Sequence, residues 1–592
     1  MRPSRNVIGE TWLAFALDRE AEPSRVAAGI ERVSEHYAGL IAGEVHRAER
    51  RDARSGLVLW QRQDPLLRWP LWVESRELAA AATAVPTGWR RLVGERTAEE
   101  APLRLARELA GRPERAAELN PPFVIGIRAE NAMTIVNDFL GAGRLYEMRF
   151  EGGWAWSNRL GALPLFAGVA PHADEGAWAV FAAAGWFLGE ATPICGARKI
   201  PPATVIAVAT DADRVIVEHR QGEAQRQAVE PRRVRFGRSA ADAAGQVLEM
   251  AADLGSAWAG PVAISLTGGR DSRVSAAAAL GAGIEATFNT GDQVPGEVDV
   301  VRELVALAPR AMDHSVYSPE ADDEPPDDLW QRIRTIHLVH DGMRNPQEVR
   351  RPTQIPQADW PPPTLSGHGG ELGHGFYYAR KEKLRKLRRG GERAVVSQLE
   401  RNARRRHSAA TAEAYALYLA ECEHTLAEGR SFGLAGPVLL DWFYMRQRLP
   451  YRTGLGARSG RSSACVVPAF VRGAFDLRPK DRLSAKLHRQ VVAELVPEWA
   501  RVPFFRSDSE QMPEIHRARI WQRTAEARAV EEMIASRQGW PEMMRPERIE
   551  DMWREVRSGG GSADYEHVFY RLVWRVGFEE HLRALAQAAT GR

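Results

Sequence analysis

The chain has 592 residues, more than one hydrophobic core usually serves, so at least two domains are expected. Hydrophobic residues make up 44% and charged residues 27%, which sets aside a disordered or fibrous chain, and a net charge of +3 at this size gives no pointer to nucleic acid. No apolar run is long enough to cross a bilayer and no signal-type core follows Met1-Arg2-Pro3-Ser4-Arg5; Cys195, Cys422 and Cys465 lie too far apart for a disulfide framework or a zinc site, so a cytoplasmic, reducing setting is expected.

Residues 1–120 are rich in Arg, Glu and Ala, with Trp60, Trp69, Trp72 and Trp89 among them, and carry no chemical motif. They read as helices and short strands packed on the section that follows, with a peptide-binding surface as the lesser alternative. From about 122 the pattern turns to strands: 123–127, 133–138, 145–150 and 154–159, whose alternation and short polar gaps argue for antiparallel hairpins. A helix around 177–187 and a strand at 204–209 complete an αβ unit. A polar, Arg-rich link at 221–237 then leads to a helix over 240–254.

Residues 262–273, Val-Ala-Ile-Ser-Leu-Thr-Gly-Gly-Arg-Asp-Ser-Arg, organise the second half. An apolar run breaks into Thr267-Gly268-Gly269 and an alanine-rich helix follows, so the pattern is strand, glycine turn, helix. Glycine lets backbone amides approach a ligand closely, and a helix start adds unpaired N–H groups and a positive dipole end. Phosphate suits such a place. Thr267 and Ser272 can donate to phosphate oxygens, whereas Asp271 needs a divalent cation between itself and the phosphate. The stretch therefore predicts nucleotide phosphate with Mg2+; the plainer reading is an ordinary βα turn with Asp271 as a cap.

A second strand over 284–289 ends in Thr290-Gly291-Asp292, giving a parallel α/β unit with ligands expected beyond the strand ends. Glu297 and Asp299 open the next helix, where capping is favoured over nucleotide contact. A third strand at 313–317, a helix near 329–339 and a fourth strand lead to a second glycine-rich run, Gly367-His368-Gly369-Gly370-Glu371-Leu372-Gly373-His374-Gly375-Phe376-Tyr377. The basic run at 380–406 has helical spacing and reads as a solvated face, with an acidic peptide or RNA as the functional alternatives. Residues 439–452 hold a helix with Arg446, Arg448 and Arg452, a helix over 484–495 follows, and the tail from 515 reads as amphipathic helices over the second domain.

The first loop resembles the Ser-Gly-Gly-x-Asp-Ser pyrophosphate loop of the ATP-pyrophosphatase superfamily, with Thr267 in place of the first serine. The second resembles, without a gap, the Gly-x-Gly-x-Asp-Glu-Leu-Phe-Gly-Gly-Tyr segment of asparagine synthetases and β-lactam synthetase. Phrases at 136–141, 157–159, 185–189 and 198–202 look like the later half of the glutaminase domain that precedes the synthetase domain in that family. The resemblance runs from about 122 to 510. It implies an α/β protein: residues 1–235 as a degenerate N-terminal-nucleophile glutaminase-like αββα domain, and 236–592 as an ATP-pyrophosphatase-type synthetase domain with a helical tail.

The same resemblance implies an ATP site at Ser265, Leu266, Thr267, Gly268, Gly269, Asp271, Ser272, Asn289, Gly291, Gly367 and Gly369, with Mg2+ shared by Asp271 and Glu371. His368 stands where the family keeps part of its base machinery, and an imidazole can accept an amine proton near neutral pH. The family's next acidic residue is Leu372 here. Its lysine is absent, leaving Arg501 or Arg506 to meet the pyrophosphate. Position 2, where the glutaminase needs cysteine, is Arg2, so ammonia from glutamine is excluded. The expectation is an AMP-forming amide ligase, most like a lasso peptide cyclase closing a macrolactam, with a leader-binding protein or protease as a possible partner. A small-molecule amide or β-lactam synthetase, an ATP-binding scaffold and, less favoured, a tRNA thiolase are the alternatives.

Overall fold

The computed structural model describes residues 9–591 apart from 20–22, 42–43, 95–96, 211–213, 233, 319–327, 351–361, 407–408, 453–459 and 506–517. It is a mixed α/β protein with two six-stranded antiparallel sheets and one five-stranded parallel sheet.

The antiparallel pair draws on residues 11–221. One sheet runs Ala197–Lys199, Tyr146–Phe150, Gly153–Ser157, Thr11–Leu17, Ser55–Arg62, Val45–Arg51; the other runs Val215–Gln221, Thr204–Thr210, Ala132–Asn137, Val124–Arg128, Ala79–Ala82, Trp72–Glu74. The described residues before 120 thus supply five of the twelve strands of the two sheets. The Thr11–Leu17 strand is buried along its whole length between two neighbours. Its Trp12, Ala14 and Ala16 face the core between the sheets, while Leu13, Phe15 and Leu17 face the helices outside, the alternation expected of a strand covered on both sides. Close sheet packing explains Gly126: a Cβ there would stand 2.4 Å from the Trp12 ring.

The parallel sheet has the order Asp313–Tyr317, Ala286–Gly291, Val262–Ser265, Thr364–Ser366, Arg461–Ser463. All four pairings are parallel. In chain order this is 3-2-1-4-5, so successive strands are added on one side of Val262–Ser265 and then on the other. The reversal falls between Val262–Ser265 and Thr364–Ser366, and the chain leaving those two strands frames the crevice where open α/β sheets bind ligands. The helix after the first of them, Asp271–Gly281, is buried from Arg273 to Leu280; its run of alanines lets it lie against the sheet under Phe236–Ala257 and Lys486–Leu495.

Two features go beyond the expectations from sequence. The tail helix Tyr565–Thr590 packs on Leu329–His340 and also on Ala162–Ala167 and Pro23–Tyr37 of the sandwich region, because its buried face carries Phe569, Val573 and Phe578 into the core outside the first sheet. The fifth strand, Arg461–Ser463, had no counterpart in the sequence reading, since three residues leave no periodicity to detect. The basic helix Lys381–Arg406 behaves as an amphipathic surface element: Leu384, Leu387, Val395 and Leu399 are buried, while Arg385, Lys386, Arg388 and Arg389 are exposed.

Candidate functional site

The first glycine loop is held by its own hydroxyls. The Thr267 N–H donates to Ser272 Oγ at 3.1 Å, the two hydroxyls lie 2.9 Å apart, and Gly269 N–H donates to Thr267 Oγ1 at 3.2 Å. Upstream, Ser265 Oγ donates to Asn289 Oδ1 at 3.1 Å and Leu266 N–H to the Asn289 carbonyl at 2.9 Å, while Gly291 closes the second strand opposite Tyr317. The helix that begins at Asp271 has Arg270 at its N-cap with no side-chain cap bond, so the first-turn N–H groups have no capping side chain.

Arg273 fixes this loop to a distant segment. It is 1% exposed and donates to the carbonyls of Gly268 (3.0 Å), Val502 (2.7 Å) and Pro503 (3.0 Å), with Phe504 under its guanidinium at 4.6 Å. Burial pulls it down to about 10, with Glu303 opposing, so it stays charged at neutral pH. Phe505 N–H also donates to the Gly268 carbonyl at 2.8 Å. Arg501 ends the short Pro497–Arg501 helix one residue before this anchored segment and is exposed; Arg506 lies outside the described residues.

The two glycine loops meet at Asp271. A Cβ on Gly370 would stand 2.2 Å from Asp271 Oδ1, and one on Gly367 would stand 2.4 Å from the Asp271 carbonyl carbon, so only glycine lets the second loop come this close. Glu371 follows directly, its Oε2 accepting from Gly369 N–H at 3.1 Å. Leu372, in place of an acidic residue, is buried in the core at 1% exposure and anchors the loop instead.

Two histidines face the same carboxylate. His488 Nε2 lies 2.8 Å from Asp271 Oδ1, and His374 Nε2 lies 3.5 Å from Oδ2. Burial works to raise the Asp271 carboxyl, but the facing imidazoles outweigh it and hold it well below the usual carboxylate range. Burial also lowers His488, against the pull of Asp271. The 2.8 Å contact is misaligned for a hydrogen bond, which leaves buried Oδ1 without a donor. An oxygen in that condition fits a divalent cation. Among the described residues no group of three or more His, Cys, Asp or Glu is arranged to hold a metal, but Mg2+ is usually held by one or two carboxylates with water and phosphate completing its shell.

His368 is exposed on the second loop, with its carbonyl accepting from Ser463 Oγ at 2.5 Å. It is His374, six residues on, that turns in to Asp271. Glu297 departs from the expected capping role: its Oε1 accepts from Gly268 N–H at 3.1 Å, and the cap position of its own helix is Gly296. Burial raises the Glu297 carboxyl, and the bonds from Gly268 and Thr267 oppose this. Glu297 thus sits on an amide expected to meet phosphate. His374 could have been noticed from its place in the loop; His488, Glu297 and Arg273 carried no sequence signal for these contacts.

No protein-family model and no curated protein matches the chain. Among solved structures, it is similar to the glutamine phosphoribosylpyrophosphate amidotransferase from B. subtilis complexed with ADP and GMP, at 10% identity and a TM-score of 0.22 over 43% of this chain and 60% of that one. It is similar also to a structure of the allosteric regulatory enzyme of purine biosynthesis, at 11% identity, a TM-score of 0.22 and the same coverage. The chain therefore spans 60% of the length of each of these two proteins.

Proposed function

We propose that this chain is an ATP-dependent, AMP-forming amide ligase that activates a substrate carboxylate and joins it to an amine, with macrolactam closure in a ribosomal peptide as the favoured reaction. One observation carries the reading: the two glycine loops, distant in sequence, converge on Asp271 across the reversal point of a parallel sheet, at a separation only glycine permits. The resemblance of both loops to those of asparagine synthetases supplies the reaction class.

ATP with Mg2+ would supply the adenylyl group and a pyrophosphate leaving group. Within this reading the Thr267–Ser272 loop and the uncapped helix start bind phosphate through N–H groups and hydroxyls. Asp271 and Glu371 would hold the cation, with the imidazoles of His374 and His488 facing the Asp271 carboxylate. Arg273 keeps the 502–505 segment on the loop, and Arg501, next to that segment in sequence, would meet the pyrophosphate. His368, exposed on the second loop, would take the amine proton from an incoming substrate.

A second reading, an ATP-binding scaffold without turnover, draws on the Glu297 contact, since that carboxylate must leave Gly268 before phosphate can enter. The two separate in one assay: the protein with ATP, Mg2+ and a linear peptide bearing a free N-terminus and an internal Asp or Glu, followed by intact mass and pyrophosphate. The ligase reading expects loss of one water coupled to pyrophosphate. ATP binding with neither signal across a panel of peptides and small amino acids would leave the scaffold.

A further inference from the structure

The first part of helix Lys381–Arg406, up to the break at Gly391 (φ 56°, ψ −144°), carries cations where helix electrostatics disfavours them. Residues 380–389 hold seven Lys and Arg and one carboxylate, Glu382. A helix start favours anions because its N–H dipole end is positive, yet Lys381, Lys383 and Arg385 fill the opening turns. Lys381, Arg385 and Arg389 follow one another at four-residue intervals, where like charges repel. The stability of the helix therefore does not account for this run.

The fold presents these cations to solvent. Leu384 and Leu387 are buried in the core, while Lys381, Arg385, Lys386, Arg388 and Arg389 are exposed. None of these five has an ion-pair partner among the described residues. Exposed arginines on other helices are neutralised locally: Arg302 pairs with Asp299 at 3.2 Å, Arg528 with Glu532 at 3.0 Å and Arg554 with Asp551 at 2.8 Å. The contrast marks the face as one whose counter-charge comes from outside the chain.

From these observations we infer that the exposed face of residues 381–389 is a docking surface for a short acidic segment of a polypeptide, whose Asp and Glu carboxylates meet the five unpaired cations. At a rise of about 1.5 Å per residue the face is about 12 Å long, which matches about four residues of an extended chain. The net charge of the whole chain, +3, is smaller than the surplus of six carried by residues 380–389, so the rest of the molecule is net negative. A long polyanion overrunning the face would be repelled there, whereas a short acidic stretch meets only cations. Residues 381–406 contain no aromatic side chain on which a base could stack. Leu384, Leu387, Val395 and Leu399 are buried in the protein, so the helix has no apolar face left for a lipid surface. The helix follows directly on the second glycine loop in sequence, and within the ligase reading the docked segment belongs to the peptide substrate; the docking itself does not rest on that reading.

The test uses no ATP, so its failure and that of the ligase reading are distinguishable. A rhodamine-labelled peptide of glutamates spaced by glycine and serine, its glutamine counterpart and a single-stranded RNA of the same charge are titrated with the full-length protein and followed by anisotropy. The glutamate peptide should bind saturably, the glutamine peptide should not, and added salt should weaken the binding. The triple variant Arg385→Gln, Arg388→Gln, Arg389→Gln should bind the glutamate peptide about tenfold more weakly, since each exposed pair contributes little alone. The triple variant Arg302→Gln, Arg528→Gln, Arg554→Gln makes the same change in net charge and should stay within about twofold of the parent. Because the first variant loses like charges from neighbouring positions, its melting temperature should be unchanged or raised, which separates lost binding from lost fold. Absence of saturable binding by the glutamate peptide, equal losses in the two variants, or tighter binding of the RNA than of the peptide would overturn the inference.

Discussion

Two buried aspartates, one in the sandwich and one at the parallel sheet, are treated in opposite ways. Asp138 sits in the 136–141 phrase and accepts from four backbone N–H groups, those of Phe123 (3.2 Å), Leu140 (2.8 Å), Ala142 (3.1 Å) and Gly143 (2.6 Å). Burial raises its carboxyl and those four bonds oppose the rise. Asp271 has an oxygen with no donor, two imidazoles in front of it and a glycine pressed against it. A carboxylate with every lone pair used is a knot in the chain; one with a lone pair held open is prepared for a ligand. The neighbouring phrase behaves like Asp138: Asn158 receives the Trp12 N–H at 2.9 Å and donates to the Glu10 carbonyl at 2.8 Å, fastening the central strand. Asp138 and Asn158 serve the architecture of the sandwich, whereas Asp271 keeps an oxygen open at the end of the parallel sheet.

The contrast is sharpest if the two aspartates are removed. Asp271→Asn should cut pyrophosphate release on the order of a thousandfold while leaving the melting temperature nearly unchanged, and Gly370→Ala should follow it at about a hundredfold through displacement of the same carboxylate. Asp138→Ala should do the reverse, lowering stability in urea titrations by about 3 kcal/mol with turnover per folded molecule preserved. Equal losses of turnover in both variants would erase the distinction.

A third test lies outside both sites. His36 is pushed down to about 4 by burial, and His337 and His340 are lowered in the same direction for the same reason. Below about pH 6.5 the unfolded chain takes up protons that these folded groups refuse, so stability is complete above that pH and falls toward pH 4, on the order of 3 kcal/mol from His36 alone. His337→Gln, able to keep a bond to the Trp574 carbonyl, should flatten the profile of melting temperature against pH. The smallest effect is expected at Glu297. Glu297→Gln removes a negative charge from the Gly268 amide and should tighten ATP binding about threefold to tenfold in equilibrium titrations.

The site was partly legible in the sequence because its two loops are local: glycine, hydroxyl and carboxylate fall within a few residues of each other, at the ends of apolar runs. The reversal of strand order that brings them together was not, since pairing between Val262–Ser265 and Thr364–Ser366 is a long-range contact with no local trace. His488 sits 217 positions beyond Asp271 in a helix whose pattern announces only burial. Arg273 read as one more basic residue, although its three carbonyl partners make it the brace of the loop. The run Thr-Trp-Leu-Ala-Phe-Ala-Leu at 11–17 has an apolar pattern that periodicity alone cannot separate into strand or helix, which hid the centre of the first sheet.

The central claim is that a carboxylate attacks the α phosphorus of ATP. A peptide carrying heavy oxygen in its Asp or Glu side-chain carboxylate, incubated with the protein, ATP and Mg2+, tests that step through the mass of the AMP produced. Transfer of one labelled oxygen to AMP is the result expected for an acyl-adenylate. AMP formed with the label left wholly in the peptide, or label appearing in inorganic phosphate, would contradict it.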